Sequence, residues 1–232
     1  MNPDRLRELA DVPDPRLTGA NAGIFFSTDG PDVTEVLFIR HGHIPVSGPS
    51  DDPNLTEIGR EQAEALSIYL AGQKPFTALY SSPFRRTLQT AEAIAERQPL
   101  PIELMDELRE VEAYVPEGTT LRDHLGEEAW QAYAERMRLE RTWDARREYG
   151  ESSASVRHRA VEAVERAIAR HPGGRIALVS HGPLIITYFA ALLQSPYDLI
   201  FHPRLTSISV VWARGDARRP GAINAMPHFG VL

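Results

Sequence analysis

Cysteine is missing from all 232 residues. That removes disulfides, thiolate metal sites and thiol nucleophiles in one step, so histidine, carboxylate or hydroxyl groups must carry any chemistry. Lysine is almost as scarce, with Lys74 the only one among 25 basic residues. Positive charge is in deficit, 25 Lys plus Arg against 32 Asp plus Glu, leaving −7. That balance disfavours nucleic acid and anionic membranes as partners, and neither is expected. Long apolar runs are missing too. The longest, residues 183–193, contains Thr187 and Tyr188 and falls short of the roughly 18–20 residues of a membrane span. The opening MNPDRLRELADVPDPRLTG is charged and broken by proline where a secretory signal needs an apolar block. The expected location is cytoplasmic. Internal repeats and low-complexity segments are also lacking.

What is present reads as one folded unit. Hydrophobic residues make up 42% and charged residues 25%, a mixture that supports a core and excludes a disordered chain. Residues 1–32 hold Pro3, Pro13, Pro15 and Pro31 with few apolar residues besides Ile24, Phe25 and Phe26. They read as an arm anchored at 24–26, with the domain proper over 33–232. VTEVLFIRHG reads as a buried strand entering a loop. Thr56 is placed as the N-cap of a helix over 56–71, with Leu55, Ile58, Gln62, Leu66 and Leu70 as its stripe. A strand through Tyr80 follows, then a helix starting at Ser82-Pro83 with Leu88, Ala91 and Ala95 inward. Further expectations are a short strand at 101–104, a charge-mixed helix over 127–149, and a helix over 153–171 with Val156, Ala160, Val164 and Ala167 inward. RIALVSHGPLIITYFAALL reads as strand, turn and helix, SISVVWA as a late strand, and 221–228 as a last edge strand. Strands alternating with helices imply a mostly parallel sheet covered on both faces.

In such a sheet ligands bind beyond the carboxyl ends of the strands. Three of those ends carry chemistry: Arg40-His41-Gly42, then Ser81-Ser82-Pro83 with Arg85-Arg86, then Ser180-His181-Gly182. Glycine after each histidine permits a sharp turn and close ligand approach, and arginine offers forked donors matched to phosphate oxygens.

From about residue 35 onward the chain resembles the histidine phosphatase superfamily, which includes phosphoglycerate mutases and related phosphatases. The resemblance rests on six elements in order: RHG after the first strand, LTEIGREQA, SSPFRRTLQTA, DELRE, GES at 150–152, and VSHG. It implies a three-layer α/β/α fold of the phosphoglycerate mutase type, with a helical cap inserted over about 111–150. It implies His41 as nucleophile, Arg40 and Arg86 as phosphate-binding arginines, His181 as the second histidine, and Glu110 as proton donor. Glu107 and Glu112 stay open as rival acids. Arg40, Arg86, His181, Gly182, His43 and Ser47 are the residues expected to bind substrate. The implied function is metal-independent hydrolysis of a small phosphomonoester through phosphohistidine, with no cofactor. A mutase and a non-catalytic phospho-ligand module are the alternatives, and a homodimer stays open.

The chain also departs from the family pattern. His43, Ile44, Pro45, Val46 and Ser47 follow RHG, and Tyr114 and Pro116 stand beside Glu117-Gly118, so the substrate wall is rebuilt. A His41-x-His43 metal pair lacks further ligands in sequence. His124, His158, His171, His202 and His228 read as surface residues, as does Arg85. Trp130, Tyr133 and Met137 read as packing on one helix side, and Ser152 and Ser153 as caps.

Overall fold

A computed structural model describes residues 28, 30–45, 52–112, 114, 116, 119–146 and 149–230. The expected arm lies almost wholly outside the described residues, as do Ser47 and Glu117-Gly118. The strands are β1 (Thr34–Arg40), β2 (Ala78–Ser81), β3 (Ile102–Leu104), β4 (Arg175–Ser180), β5 (Ile208–Arg214) and β6 (Ala217–Pro220). The helices are α1 (Glu57–Ala71), α2 (Arg85–Arg97), α3 (Leu121–Leu125), α4 (Glu127–Glu140), α5 (Ser153–Arg170) and α6 (Gly182–Leu192). The strands join in one sheet of order β3-β2-β4-β1-β5-β6. β1, β2, β3 and β4 run parallel, while β5 and β6 add an antiparallel edge.

Strand alternation divides the core into two layers. Val36, Phe38, Ile176 and Leu178 point towards α5 and α6 and pack with Val156, Ala160, Val164 and Leu184. Leu37, Ile39, Ala177 and Val179 point the other way, onto Leu66 and Leu70 of α1 and Ala91 and Ile94 of α2. Helices on both faces of a mostly parallel sheet make the expected three layers. Parallel register sets Arg40 beside Ser180 and Ser81 beside Val179. The loops that begin at His41, Ser82 and His181 therefore leave the same edge together.

Several boundaries differ from the sequence reading. Thr56 caps α1 by accepting from the Gly59 amide, but Ile58 faces out, 57% exposed, while Gly59, Ala63 and Ser67 face in with Leu66 and Leu70. Backbone contact causes this rotation: a Cβ on Gly59 would lie 2.2 Å from the His43 carbonyl oxygen, and one on Gly42 would lie 2.6 Å from the Gly59 carbonyl oxygen. The helix approaches the post-β1 loop with glycine facing glycine. Helix α2 starts at Arg85, and its buried line is Arg86, Thr87, Thr90, Ala91 and Ile94, a polar stripe turned towards the sheet edge.

The helix expected over 127–149 stops at Glu140. Arg141 adopts φ 54 and its carbonyl accepts from the amides of Asp198 and Leu199. Asp198 then accepts from the Trp143 amide at 2.8 Å, so tertiary contacts override a helix-favouring composition. The last strand is 217–220 rather than 221–228, because the two-residue turn led by Gly215 at φ 51 pairs Arg214 with Ala217. Residues 221–228 form no strand, and Ala225 bridges to Ile208. Two histidines expected at the surface are packed: His171 Nε2 lies 2.9 Å from the Tyr80 hydroxyl, and half-buried His228 lies 3.0 Å from Thr206 Oγ1. Of the two expected caps only Ser152 caps α5, accepting from the Ser155 amide; Ser153 is the first helical residue, and its hydroxyl donates to Asp198 at 2.5 Å.

Candidate active site

Five of the sequence-predicted residues meet at the carboxyl edge of the sheet. The rings of His41 and His181 lie 5.3 Å apart, both buried. Glu110 Oε2 is 3.7 Å from His181 Nδ1 and 3.9 Å from Arg86 Nη2. Arg40 arrives from the end of β1 and donates through Nη1 to the Pro203 carbonyl at 2.6 Å. Gly182 makes room for it, since a Cβ there would stand 3.3 Å from Arg40 Nε.

Backbone and side-chain hydrogen bonds fix each group. His41 Nδ1 lies 2.8 Å from the carbonyl of Gly42. A carbonyl only accepts, so Nδ1 carries the ring proton and Nε2 presents its lone pair. The Gly42 amide donates to Thr90 Oγ1 at 3.1 Å, and that hydroxyl donates to the Arg86 carbonyl at 2.7 Å. Thr206, buried and β-branched yet at φ 56, donates its amide to the Arg40 carbonyl at 3.1 Å. Left-handed backbone is costly for such a residue, and here it props the strand end that carries Arg40 and His41.

Burial dominates the electrostatics. It pushes the His41 pKa down to about 3, with Arg86 and Arg40 adding to the effect against the Gly42 hydrogen bond. His181 is likewise driven well below its ordinary value by burial, then by Arg86. Both imidazoles are neutral at physiological pH. Arg40 Nε, Arg86 Nε and Nη1, and His181 Nδ1 are buried and make no hydrogen bond among the described residues. Buried donors of this kind require an acceptor, and their convergence suits a tetrahedral oxyanion. The ligand atoms of His41, Glu110 and His181 also lie within 4.8 Å of one another, a spacing compatible with a metal ion. The third ligand is one that sequence spacing did not reveal. Two guanidinium groups share that space, and their charge favours an anion over a cation.

The fold separates the rival acids. Glu107 pairs with Arg166 at 2.6 Å, and that hydrogen bond holds its carboxyl below the usual range. Glu112 pairs with Arg109 at 3.1 Å. Only Glu110 of the three reaches both histidine-side partners named above. His43 is anchored to the start of α1: its Nδ1 lies 2.8 Å from Thr56 Oγ1 and its amide donates to Gln62. Arg85 is exposed, as expected. Trp130 and Tyr133 stack at 5.2 Å, half-buried on α4.

Sequence reasoning missed a supporting pair. Buried Arg159 donates to the carbonyls of Glu107, Arg109 and Glu110 at 2.8–3.0 Å and forks onto Glu151 at 2.6 and 2.9 Å. Glu151 also accepts from the Glu112 amide at 3.0 Å. The GES triplet was visible as a signal, but its partner eight residues on becomes evident only once α5 is seen to bury that face. Asp52 was missed as well; it accepts from the Arg85 amide at 2.8 Å and lies 3.7 Å from Arg86 Nη1.

A profile described as the histidine phosphatase superfamily, branch 1, matches residues 36–225. Glucosyl-3-phosphoglycerate phosphatase of Mycolicibacterium vanbaalenii is 33% identical over 188 residues, covering 72% of this chain and 77% of that protein. The probable phosphoglycerate mutase GpmB of Cronobacter sakazakii is 32% identical over 187 residues, covering 76% and 82%. Among solved structures, Bacillus stearothermophilus YhfR aligns with a TM-score of 0.72 at 26% identity, covering 84% of this chain and 98% of that one.

Proposed function

This chain belongs to the histidine phosphatase superfamily, branch 1, and from that premise we propose that it is a metal-independent phosphomonoester hydrolase for a small phosphorylated metabolite. The carrying observation is the Nε2 lone pair of His41 set among buried donors of Arg40, Arg86 and His181 that have no hydrogen bond among the described residues.

The reaction follows in two balanced halves. His41 Nε2 attacks phosphorus in line, an N–P bond forms, and the P–O bond to the alcohol breaks. Glu110, protonated, gives its proton to the departing oxygen. Water then attacks the phosphohistidine, Glu110 takes a proton from it, and phosphate leaves His41 with the ring restored. Arg40, Arg86 and His181 hold the non-bridging oxygens as charge redistributes. We assign residues 111–150, which contain α3 and α4, as the cap over the pocket, and the enzyme works in the cytoplasm without a nucleic-acid or membrane partner. No helix among the described residues is long and apolar enough to cross a membrane.

Brief exposure to a 32P-labelled phosphomonoester, quenched in alkaline denaturant because phosphohistidine is acid-labile, should leave label on His41. Turnover by His41→Ala at near the parent rate would sink the nucleophile assignment. The named mutase relative supports a second reading, in which the phosphoryl group returns to an alcohol. Phosphate release from the labelled enzyme in water alone, unaccelerated by a hydroxy-acid acceptor, separates hydrolase from mutase.

A further inference from the structure

We infer that Ser82 is a positioning residue that fixes the tautomer of His181, so that His181 presents a proton to the phosphoryl group where His41 presents a lone pair. The inference rests on the reaction just proposed for its catalytic meaning, but the tautomer itself follows from hydrogen bonding alone.

The His181 ring is wholly buried, and its Nε2 lies 2.9 Å from Ser82 Oγ. A serine hydroxyl can donate or accept, so the distance by itself leaves the tautomer open. The rest of the Ser82 environment decides it. Ser82 Oγ has one other hydrogen bond, received from the Phe84 amide at 3.4 Å. If His181 Nε2 carried a proton and donated it, the serine would receive two hydrogen bonds and its own buried proton would have no acceptor. Donation from Ser82 Oγ–H to Nε2 satisfies every group at that end. A neutral imidazole then holds its single proton on Nδ1.

That proton points towards the site. His181 Nδ1 makes no hydrogen bond among the described residues and lies 3.7 Å from Glu110 Oε2, beyond hydrogen-bonding reach. It therefore remains free to donate to a non-bridging oxygen. Ser82 is itself held rigidly: its amide donates to the Val179 carbonyl at 3.0 Å, and its carbonyl accepts from Ser81 Oγ at 2.8 Å. Phe84 closes the pocket by meeting the His181 ring edge-on at 5.3 Å and by lying under the Arg86 guanidinium at 4.7 Å. Burial keeps His181 neutral, so the ring carries a single proton.

The test is long-range 1H–15N correlation spectroscopy of the imidazoles in the full-length protein, with His181→Gln used to assign the signal. The parent protein should show His181 as the Nδ1–H tautomer. Ser82→Ala should move it wholly or partly to Nε2–H and slow single-turnover phosphorylation of His41 by about tenfold or more, in a variant that still folds. An Nε2–H signal in the parent, or an unaltered tautomer in Ser82→Ala, overturns the inference. A shifted tautomer with an unchanged phosphorylation rate overturns its catalytic half. Should Ser82→Ala fail to fold, the parent spectrum decides alone. Because the spectrum needs no substrate, an inactive parent would refute the phosphatase reading while the tautomer is still judged on its own signal.

Discussion

His41 and His181 are one residue type used in opposite senses, and the difference lies in what their ring nitrogens meet. A carbonyl holds the proton of His41 away from the pocket, while a hydroxyl leaves the proton of His181 within it. Glu110 is distinguished from its neighbours in the same way, by contacts rather than by type. Protonation of the leaving group matters for a basic alkoxide and little for p-nitrophenolate. Glu110→Gln should therefore slow phosphorylation by alkyl phosphates on the order of 10²-fold or more, with a much smaller effect on p-nitrophenyl phosphate. Single-turnover kinetics must separate this step from dephosphorylation, where the same carboxylate activates water. If Glu107→Gln showed that leaving-group dependence instead, the acid assignment would move. Charge at the site is met by Arg40 and Arg86, so EDTA should leave turnover unchanged even though His41, Glu110 and His181 are spaced to hold an ion. Loss of activity on chelation, restored by zinc or manganese, would install a metal in the mechanism.

Among the elements, α5 has a task beyond covering the sheet. Its Arg159 reaches over to the loop after β3 and binds three successive-turn carbonyls, with Glu151 completing the clamp. Burial alone would raise the Glu151 carboxyl, but the hydrogen bonds from Arg159 and the Glu112 amide outweigh it and hold its pKa low. Arg159→Met should cost about 3–5 kcal/mol in unfolding free energy, because it strands a buried carboxylate. Adding Glu151→Met should recover much of that stability by urea titration. The alkyl-phosphate phosphorylation rate should stay low in the double variant, since the Glu110 backbone has lost its anchor. Full recovery of both quantities would show that the pair serves stability alone. Glycine pairing does comparable work between α1 and the post-β1 loop, where Gly42 and Gly59 let two backbones touch.

For the molecule as a whole, neutral buried histidines tie stability to pH. Burial lowers His41 to about 3 and His228 to about 4, whereas in the unfolded chain both titrate near about 6.5. Below that value the unfolded state binds more protons, so stability should fall as pH drops from about 6.5 towards 4. The depressed carboxyls of Glu107 and Glu151 extend the loss into stronger acid. Thermal melts across pH 4–8 would measure it, and His228→Gln should flatten part of the slope; a melting temperature independent of pH in that window would contradict the linkage. Much of this molecule was legible in the sequence by itself. Strand and helix order, the Thr56 cap, and the histidines and arginines at strand ends follow from local rules of periodicity, capping and turn chemistry. Those rules act within a few residues along the chain, and residues 34–40 or 175–180 obey them wherever they end up. The family of the chain was legible for the same reason, because its six motifs lie in fixed order. What sequence could not decide were choices made across space. The end of α4 at Arg141 depends on Asp198, the rotation of α1 on a carbonyl after His41, and the seating of the Glu110 carboxyl beside His181 on the Arg159 clamp that holds its backbone. Each is set by a partner more than a dozen residues away, and the tautomer of His181 by one 99 positions distant. Hydrogen bonding and burial select among locally equivalent residues only when the sheet has brought such partners together.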